Sequence, residues 1–482
     1  MNAQEFAQFM KELNEDNIRY NQKREPTLAD VPAEYQNPAQ YAGGGTNWLD
    51  LVSRSAPTHN LNLSVSGGTE SISGYLSGGL LNEQGTVLGT DYRRGSMRAS
   101  VNANPSPKVR LGLNIAPVYE IRNLPVTGGS GRGENGSPAA ASIITPLLGP
   151  YNADGSWRAM LASPGMLSYP NPLMYLEQYK NKFQNLRGLV NATAEFRPID
   201  GLLLKSQANA DYSEQQQSNY RPSTLGIFFG NPPLIPIANY NESNAINWLT
   251  EQTVTYDRTM GRHHAQLLGG FSVQANRNLG GNFQGTNYPN DDIQTLNAAA
   301  LITGNTDAQR WGLVSYLTRL NYDFADGKYL ASAAVRRDGS SRFAEQNRWG
   351  VFPSVSVGWR LSEESFFKKY SWLSDLKLRA AYGETGNNEI SNYNYIGNIG
   401  INDYVLNYAL ASGRTLNTLG NPNLGWEKTR EIDAGLDMAL FSNRITLTGG
   451  AGSFYVGATL TVKPNQAPGT YTGTFPISVA YN

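Results

Sequence analysis

QRWGLVSYLTRLNYDFADGKYLASAAVRRDGSSRFAEQNRWGVFPSVSVGWRL, residues 309–361, decides the fold. From Val314 the even positions read Val314, Tyr316, Thr318, Leu320, Tyr322 and Phe324, while Ser315, Arg319, Asn321 and Asp323 fill odd positions. Successive side chains on a strand point to opposite faces, so one face is apolar and aromatic and the other polar and charged. Ala325-Asp326-Gly327-Lys328 carries the Asp-Gly signal of a tight hairpin. The third strand repeats the alternation, with Val351, Val355, Val357 and Trp359 set against Ser354, Ser356 and Arg360. A sandwich strand would also alternate. Strands of about ten residues, aromatic strand ends, and turns alternating short and long mark a transmembrane barrel, and this unit has all three.

Composition fits a wall that is greasy on one side and wet on the other. Of 482 residues only 16% are charged, while there are 50 Gly and 27 Tyr, and mean hydropathy is −0.43. No apolar run reaches the roughly eighteen residues of a membrane helix. A spanning structure would therefore be a β-barrel, which satisfies its backbone between strands. Net charge is zero and no basic cluster stands out, which argues against nucleic acid as a partner. Cysteine is absent, removing disulfides, thiolate metal sites and Cys nucleophiles. His263 and His264 are adjacent and would point to opposite faces of a strand, so the pair is not read as a metal site.

Carried along the chain, the template gives about seven hairpins and about fourteen strands, with short turns and long loops alternating. Residues 1–47 read as a helix-like segment (Phe6, Phe9, Met10, Leu13) and a linker ending near Gly43-Gly44-Gly45. The expected long loops include 120–184, 213–245, 276–310 and 383–423. The fold class expected is all-β: an antiparallel transmembrane β-barrel, partial, with a short N-terminal helix and a C-terminal hairpin.

Four strings carry a family resemblance: TNWLDLVSRSAPTHNLNLSVSGG (46–68), RRDGSSRFAEQNRWGVFPSVSVGWRLSEESF (336–366), LSDLKLRAAYGETGNN (373–388) and NPNLGWEKTREIDAGLDMALF (421–441). In that order they resemble SusC-type TonB-dependent outer-membrane transporters. The resemblance implies a barrel of roughly 22 strands, an N-terminal plug, and a TonB box that contacts the energising complex. It also implies a SusD-type lipoprotein over the external loops, contact with outer-membrane lipid, and import of oligosaccharides or peptides. Signal, plug and TonB box are expected to lie outside this chain, which without them would not transport. Residues 48–449 are expected to form the barrel part. Residues 450–482 are expected to be a foreign tail, since Pro468–Phe475 resembles the last hairpin of a secreted bacterial β-sandwich family of unassigned function.

Catalytic chemistry is not expected, and no motif implies a cofactor. Glu363-Glu364 reads as a solvated turn, Gly128–Gly133 lacks the Gly-Lys-Ser/Thr ending of a phosphate loop, and Asn290, Asp291 and Asp292 lack calcium-loop spacing. Binding is better supported. Aromatic faces stack on sugar rings, and amides and charged groups bond hydroxyls. Trp157, Tyr169, Tyr175, Tyr240, Tyr393 and Tyr395 are the candidate substrate contacts, with Phe228, Phe229 and Tyr404 in the same loops. For any single one, packing of the loops or an interfacial girdle is the plainer role. Arg319, Asp323, Arg336 and Arg379 are expected to face the lumen as an ion-pair lining. The alternative function is a secreted β-rich adhesin or surface structural protein.

Overall fold

The computed structural model describes residues 1–124, 138–228, 230–442 and 445–457. One sheet holds fourteen long strands in chain order. These are β1 (Thr58–Gly68), β2 (Ile72–Gln84), β3 (Asp91–Ser106), β4 (Val109–Asn123), β5 (Lys180–Phe196), β6 (Leu202–Arg221) and β7 (Ile237–Met260). They continue with β8 (His263–Thr286), β9 (Leu301–Phe324), β10 (Tyr329–Ser340), β11 (Trp349–Arg360), β12 (Leu373–Asn387), β13 (Glu427–Leu440) and β14 (Ile445–Gly457). The all-β antiparallel expectation is borne out. β14 runs to Gly457, past the expected junction at 450, and the remainder of the expected tail lies outside the described residues.

The chain divides into two compact units, Met1–Tyr256 with Gly269–Ser315, and Asp257–Leu268 with the chain from Tyr316 on. In the first unit the register sets Leu63 beside Gly78, Leu80 beside Gly95, and Tyr119 beside both Gly95 and Leu186. Leu63, Leu80, Met97, Tyr119 and Leu186 are all exposed. The opposite face is polar. Asn114, Asn191 and Asn209 sit in register across β4, β5 and β6, and Arg187 grips Asp211 through two hydrogen bonds of 3.0 and 2.7 Å. Such an apolar face is larger than a water-soluble monomer normally leaves uncovered.

In the second unit the apolar face is bounded by aromatic side chains at both ends. At the short-turn end Phe324, Tyr329 and Trp359 stack across three strands, with centroids 6.1 and 6.4 Å apart and planes within 20°. At the other end Tyr316 stacks on Trp349 at 6.2 Å. Leu320, Val335, Val355 and Val357 lie between and are exposed. Trp349 and Trp359 are the end residues of an apolar row on β11, and at ~3.3 Å per residue they bracket a band of about 33 Å along the strand. A tilt of about 45° brings that to the height of an outer-membrane apolar band. The turn beneath is tight because Ala325, Asp326 and Gly327 all take positive φ, at 61, 60 and 80°.

The N-terminal helix, α1 (Ala3–Asn21), is capped by Asn2, whose side chain accepts from the Glu5 amide while Glu5 answers to the Asn2 amide. Its buried stripe is Ala3, Phe6, Ala7 and Met10, whereas Phe9 and Leu13 remain exposed. That stripe packs on Val31 and Tyr35 with Leu147 and Met166 alongside, so residues 1–47 are fastened to the long β4–β5 connection. Trp48 and Val52 enter a second core with Ile144, Leu161, Leu173 and Leu176 from the same connection.

Candidate functional site

A cavity of about 780 Å³ opens at the long-loop end of the first unit. Four strands bound it because they run further than their apolar alternation. β6 ends in SEQQQSNYR and β7 opens with IANYNESN, stretches polar on both faces, yet the ladder continues through Ser218 opposite Tyr240 and Asn219 opposite Asn239. Amides then form a row. Gln284 Nε2 donates to Asn239 Oδ1 at 2.9 Å, and Asn239 Nδ2 donates to Asn219 Oδ1 at 2.8 Å. Gln217 Nε2 donates to Asn181 Oδ1 at 3.0 Å, and Asn181 Nδ2 donates to the Leu124 carbonyl at 2.7 Å. A carboxamide has two donors and an acceptor oxygen with two lone pairs, so these bonds orient each group and leave capacity for a ligand. Asn123, Asn181, Asn219 and Asn239 line the cavity together with Tyr179, Tyr240, Glu177 and Leu296.

Asp291 holds the neighbouring connection in place. It accepts from the Tyr220 hydroxyl at 2.7 Å, the Ser223 hydroxyl at 2.6 Å and the Ser223 amide at 3.0 Å. Burial pushes its carboxyl up, but the Ser223 and Tyr220 hydrogen bonds outweigh that and leave it below the usual range. The residue is therefore a loop clamp rather than a cation ligand.

The six aromatic candidates fall in different places. Tyr240 lies on β7, not in a loop, and borders the cavity. Tyr175 is 3% exposed and stacks at 6.1 Å on Tyr179, which lines the cavity. Trp157 packs on Tyr151 at 4.5 Å, and Tyr169 on Phe228 at 5.5 Å, both against the loop core. Tyr393 and Tyr395 belong to the second unit, in the β12–β13 connection, where Tyr393 has φ +66°. Phe229 and Gly128–Gly133 lie outside the described residues. Sequence reasoning missed Tyr179 and the amide row. The density of Asn and Gln in 213–219 and 239–244 was the available signal.

In the second unit the polar face carries an ion-pair lining around a cavity of about 440 Å³. His264 Nε2 meets Asp257 at 2.9 Å and its Nδ1 meets Asp323 at 2.6 Å. Arg379 pairs with Asp433 at 2.5 Å and approaches Asp437 at 3.7 Å. Arg336 pairs with Asp338 at 2.8 Å, and Arg319 shares the face of Asp323 by alternation along β9. His263 points the other way, its ring 4.7 Å from that of Phe324. Among the described residues no three His, Cys, Asp or Glu side chains are grouped to hold a metal ion. Glu364 is not a solvated turn residue. It takes hydrogen bonds from Lys328 at 2.6 Å, the Tyr329 hydroxyl at 2.7 Å and the Trp359 indole at 3.1 Å, because the turn folds back under β10 and β11.

Strands polar on one face, an apolar band on the other bounded by aromatic pairs, and alternating turn lengths define the wall of a transmembrane β-barrel. The chain belongs to the TonB dependent receptor-like β-barrel family, whose model matches residues 122–455. That family places it in the outer membrane, among receptors rather than enzymes. TonB-dependent receptor P3 of Formosa agariphila is 30% identical over 412 residues, 84% of this chain and 40% of that protein. TonB-dependent receptor SusC of Bacteroides thetaiotaomicron is 30% identical over 442 residues, 85% of this chain and 42% of that protein. The SusC-type resemblance is thus borne out, and the chain spans about two-fifths of the length of these relatives. In fold it is similar to the structure of the RagAB peptide transporter, with TM-score 0.71 at 22% identity, covering 94% of this chain and 52% of that one.

Proposed function

We propose that this chain is part of the wall and outer mouth of a TonB-dependent importer that takes oligosaccharides or peptides across the outer membrane. The observation that carries the reading is the amide-lined cavity at the long-loop end of the first unit. Oriented carboxamides suit a ligand rich in hydroxyls or peptide groups, which offers donors and acceptors without net charge. Tyr179 and Tyr240 in the lining supply apolar faces. The apolar face with its aromatic borders is read as the lipid contact, which weighs against a water-soluble adhesin. The long-loop end then faces outward, where a SusD-type lipoprotein would cover it, and the energy comes from the TonB complex. Both SusC and the RagAB importer are similar chains that support this assignment.

Uptake by a strain carrying the intact gene, its deletion, or a TonB-defective background tests the reading. Labelled maltooligosaccharides and labelled peptides are offered in parallel. Loss of uptake of one class in both mutants is the expected result. Unchanged uptake of every class in the deletion strain would overturn it.

A further inference from the structure

The connection between β8 and β9 is a closed loop that builds one wall of the amide-lined cavity. Its ends meet where the Ala300 amide donates to the Asn287 carbonyl at 3.2 Å, and Asn287 turns the chain with a φ of +59°. Within it Gln294, Thr295 and Leu296 line the cavity, the last of them opening a 3₁₀ turn, Leu296–Ala298. Leu296, Ala298 and Ala299 pack on the buried Tyr220, Ala238 and Tyr288, and the Tyr220 and Tyr288 rings meet edge to face at 5.4 Å. Among the described residues, the side-chain hydrogen bonds that tie 287–300 to the rest of the chain all end on Asp291. They reach past β7 to Tyr220 near the end of β6 and to Ser223 just beyond it.

We propose that Asp291 is a positioning residue for ligand, setting where the 294–296 wall stands against the amide row and hence how tightly the cavity binds. The inference rests on the reading above of this cavity as the binding site, and assigns the group that holds it in shape. One carboxylate accepts three hydrogen bonds, from the Tyr220 hydroxyl and from the hydroxyl and amide of Ser223. Bonds to an ionised acceptor are about twice as strong as neutral ones. Gln294 Nε2 in turn donates to the Asp291 backbone carbonyl at 3.1 Å, so the first wall residue is fastened to the clamp itself. Apolar packing of Leu296 keeps the loop on the strands but is non-directional, and the hydrogen bonds supply the direction. A wall left free to shift would have to be ordered when ligand binds, at a cost in affinity, whereas a clamped wall is ordered beforehand. Asp291 is not among the cavity-lining residues, so its effect on ligand passes through 294–296.

The test uses the full-length receptor in its own outer membrane, as wild type, Asp291→Ala, Asp291→Asn and Ser223→Ala. Uptake of labelled maltooligosaccharides and labelled peptides gives a half-saturating concentration and a maximal rate, and hydrogen exchange across 287–300 of the purified receptors reads the clamp. In Asp291→Asn the remaining oxygen still accepts from Tyr220 and the Ser223 amide, while the new amide donates to the Ser223 hydroxyl oxygen. Asp291→Ala should raise the half-saturating concentration at least about tenfold, with the maximal rate unchanged and exchange across 287–300 faster. Asp291→Asn, and Ser223→Ala, which loses one side-chain bond, should each stay within about threefold of wild type. Should the alanine variant at 291 fail to reach the membrane, Ser223→Ala must still show a raised half-saturating concentration together with faster exchange. Faster exchange with unchanged half-saturation overturns the positioning role and leaves the cavity reading standing. Unchanged exchange in Asp291→Ala overturns the clamp, and a fall in maximal rate alone assigns the residue to a later step and overturns the proposal. An asparagine variant as weak as the alanine one, with wild-type exchange, makes the carboxylate a direct ligand contact and also overturns it. A wild-type receptor that takes up neither class overturns the cavity reading itself.

Discussion

Trp48 donates its indole N–H to the backbone carbonyl of Thr145 at 3.0 Å, and both residues are buried. One bond thus joins the segment before the first strand to a connection made ninety-seven positions later. Trp48→Ala should cost the loop core about 3–5 kcal/mol through cavity formation. Trp48→Phe should cost about 1–3 kcal/mol, because it leaves the buried Thr145 carbonyl without its donor. Limited proteolysis within 138–179 reads the effect. The sheet should retain its heat-modifiable migration in detergent gels. Loss of that migration would show that the loop core and the sheet fold as one unit.

The two faces of β11 should respond oppositely to charge. Val355 lies midway along the apolar row and is exposed, whereas Ser354 points to the polar face. Val355→Arg at the centre of the band should destabilise by about 2–4 kcal/mol, and Ser354→Arg by far less. Folding titrations into lipid vesicles measure both. Equal penalties would contradict the assignment of faces.

Glu364 gives a pH dependence confined to the turn beneath β10 and β11. The Lys328 ammonium, then the Tyr329 hydroxyl, holds its carboxyl below the ordinary 4.5, and Glu364 in turn raises Lys328 above 10.5. A depressed carboxyl contributes fully above its ordinary value and loses that contribution as pH falls through its lower folded value. A raised ammonium contributes fully below its ordinary value and loses it as pH climbs through its higher one. The 361–372 turn should therefore be tightest between about 4.5 and 10.5 and loosen on the acid side. Hydrogen exchange across that segment follows it. Glu364→Gln should remove the acid transition.

Asn239 sits at the middle of the amide row, bonded to Asn219 and Gln284. Asn239→Ala removes one cavity-lining amide and releases its neighbours' orientation. An apparent affinity for transported oligosaccharide or peptide about five- to tenfold weaker is expected, equivalent to about 1–1.4 kcal/mol. Thermal stability in detergent should stay within about 0.5 kcal/mol, the range for a polar change away from a core. A variant that keeps full affinity would remove the row from the binding site.

Period-two alternation is written in residues that meet lipid on one side and water on the other. Val314–Phe324 and Trp349–Arg360 therefore announced their strands, their faces and their aromatic borders in the sequence alone, and four strings announced the family. Where both faces are polar there is no alternation to read. β6, β7 and β8 continue through Gln216, Tyr240 and Gln284 because backbone ladders carry them, and Tyr240 is a strand residue for that reason. The docking of α1 and Trp48 onto the β4–β5 connection, the burial of Tyr175 and the assembly of the amide cavity were likewise decided only in three dimensions. Each depends on surfaces far apart in the chain that exclude water together, and no local spacing records which pairs will meet.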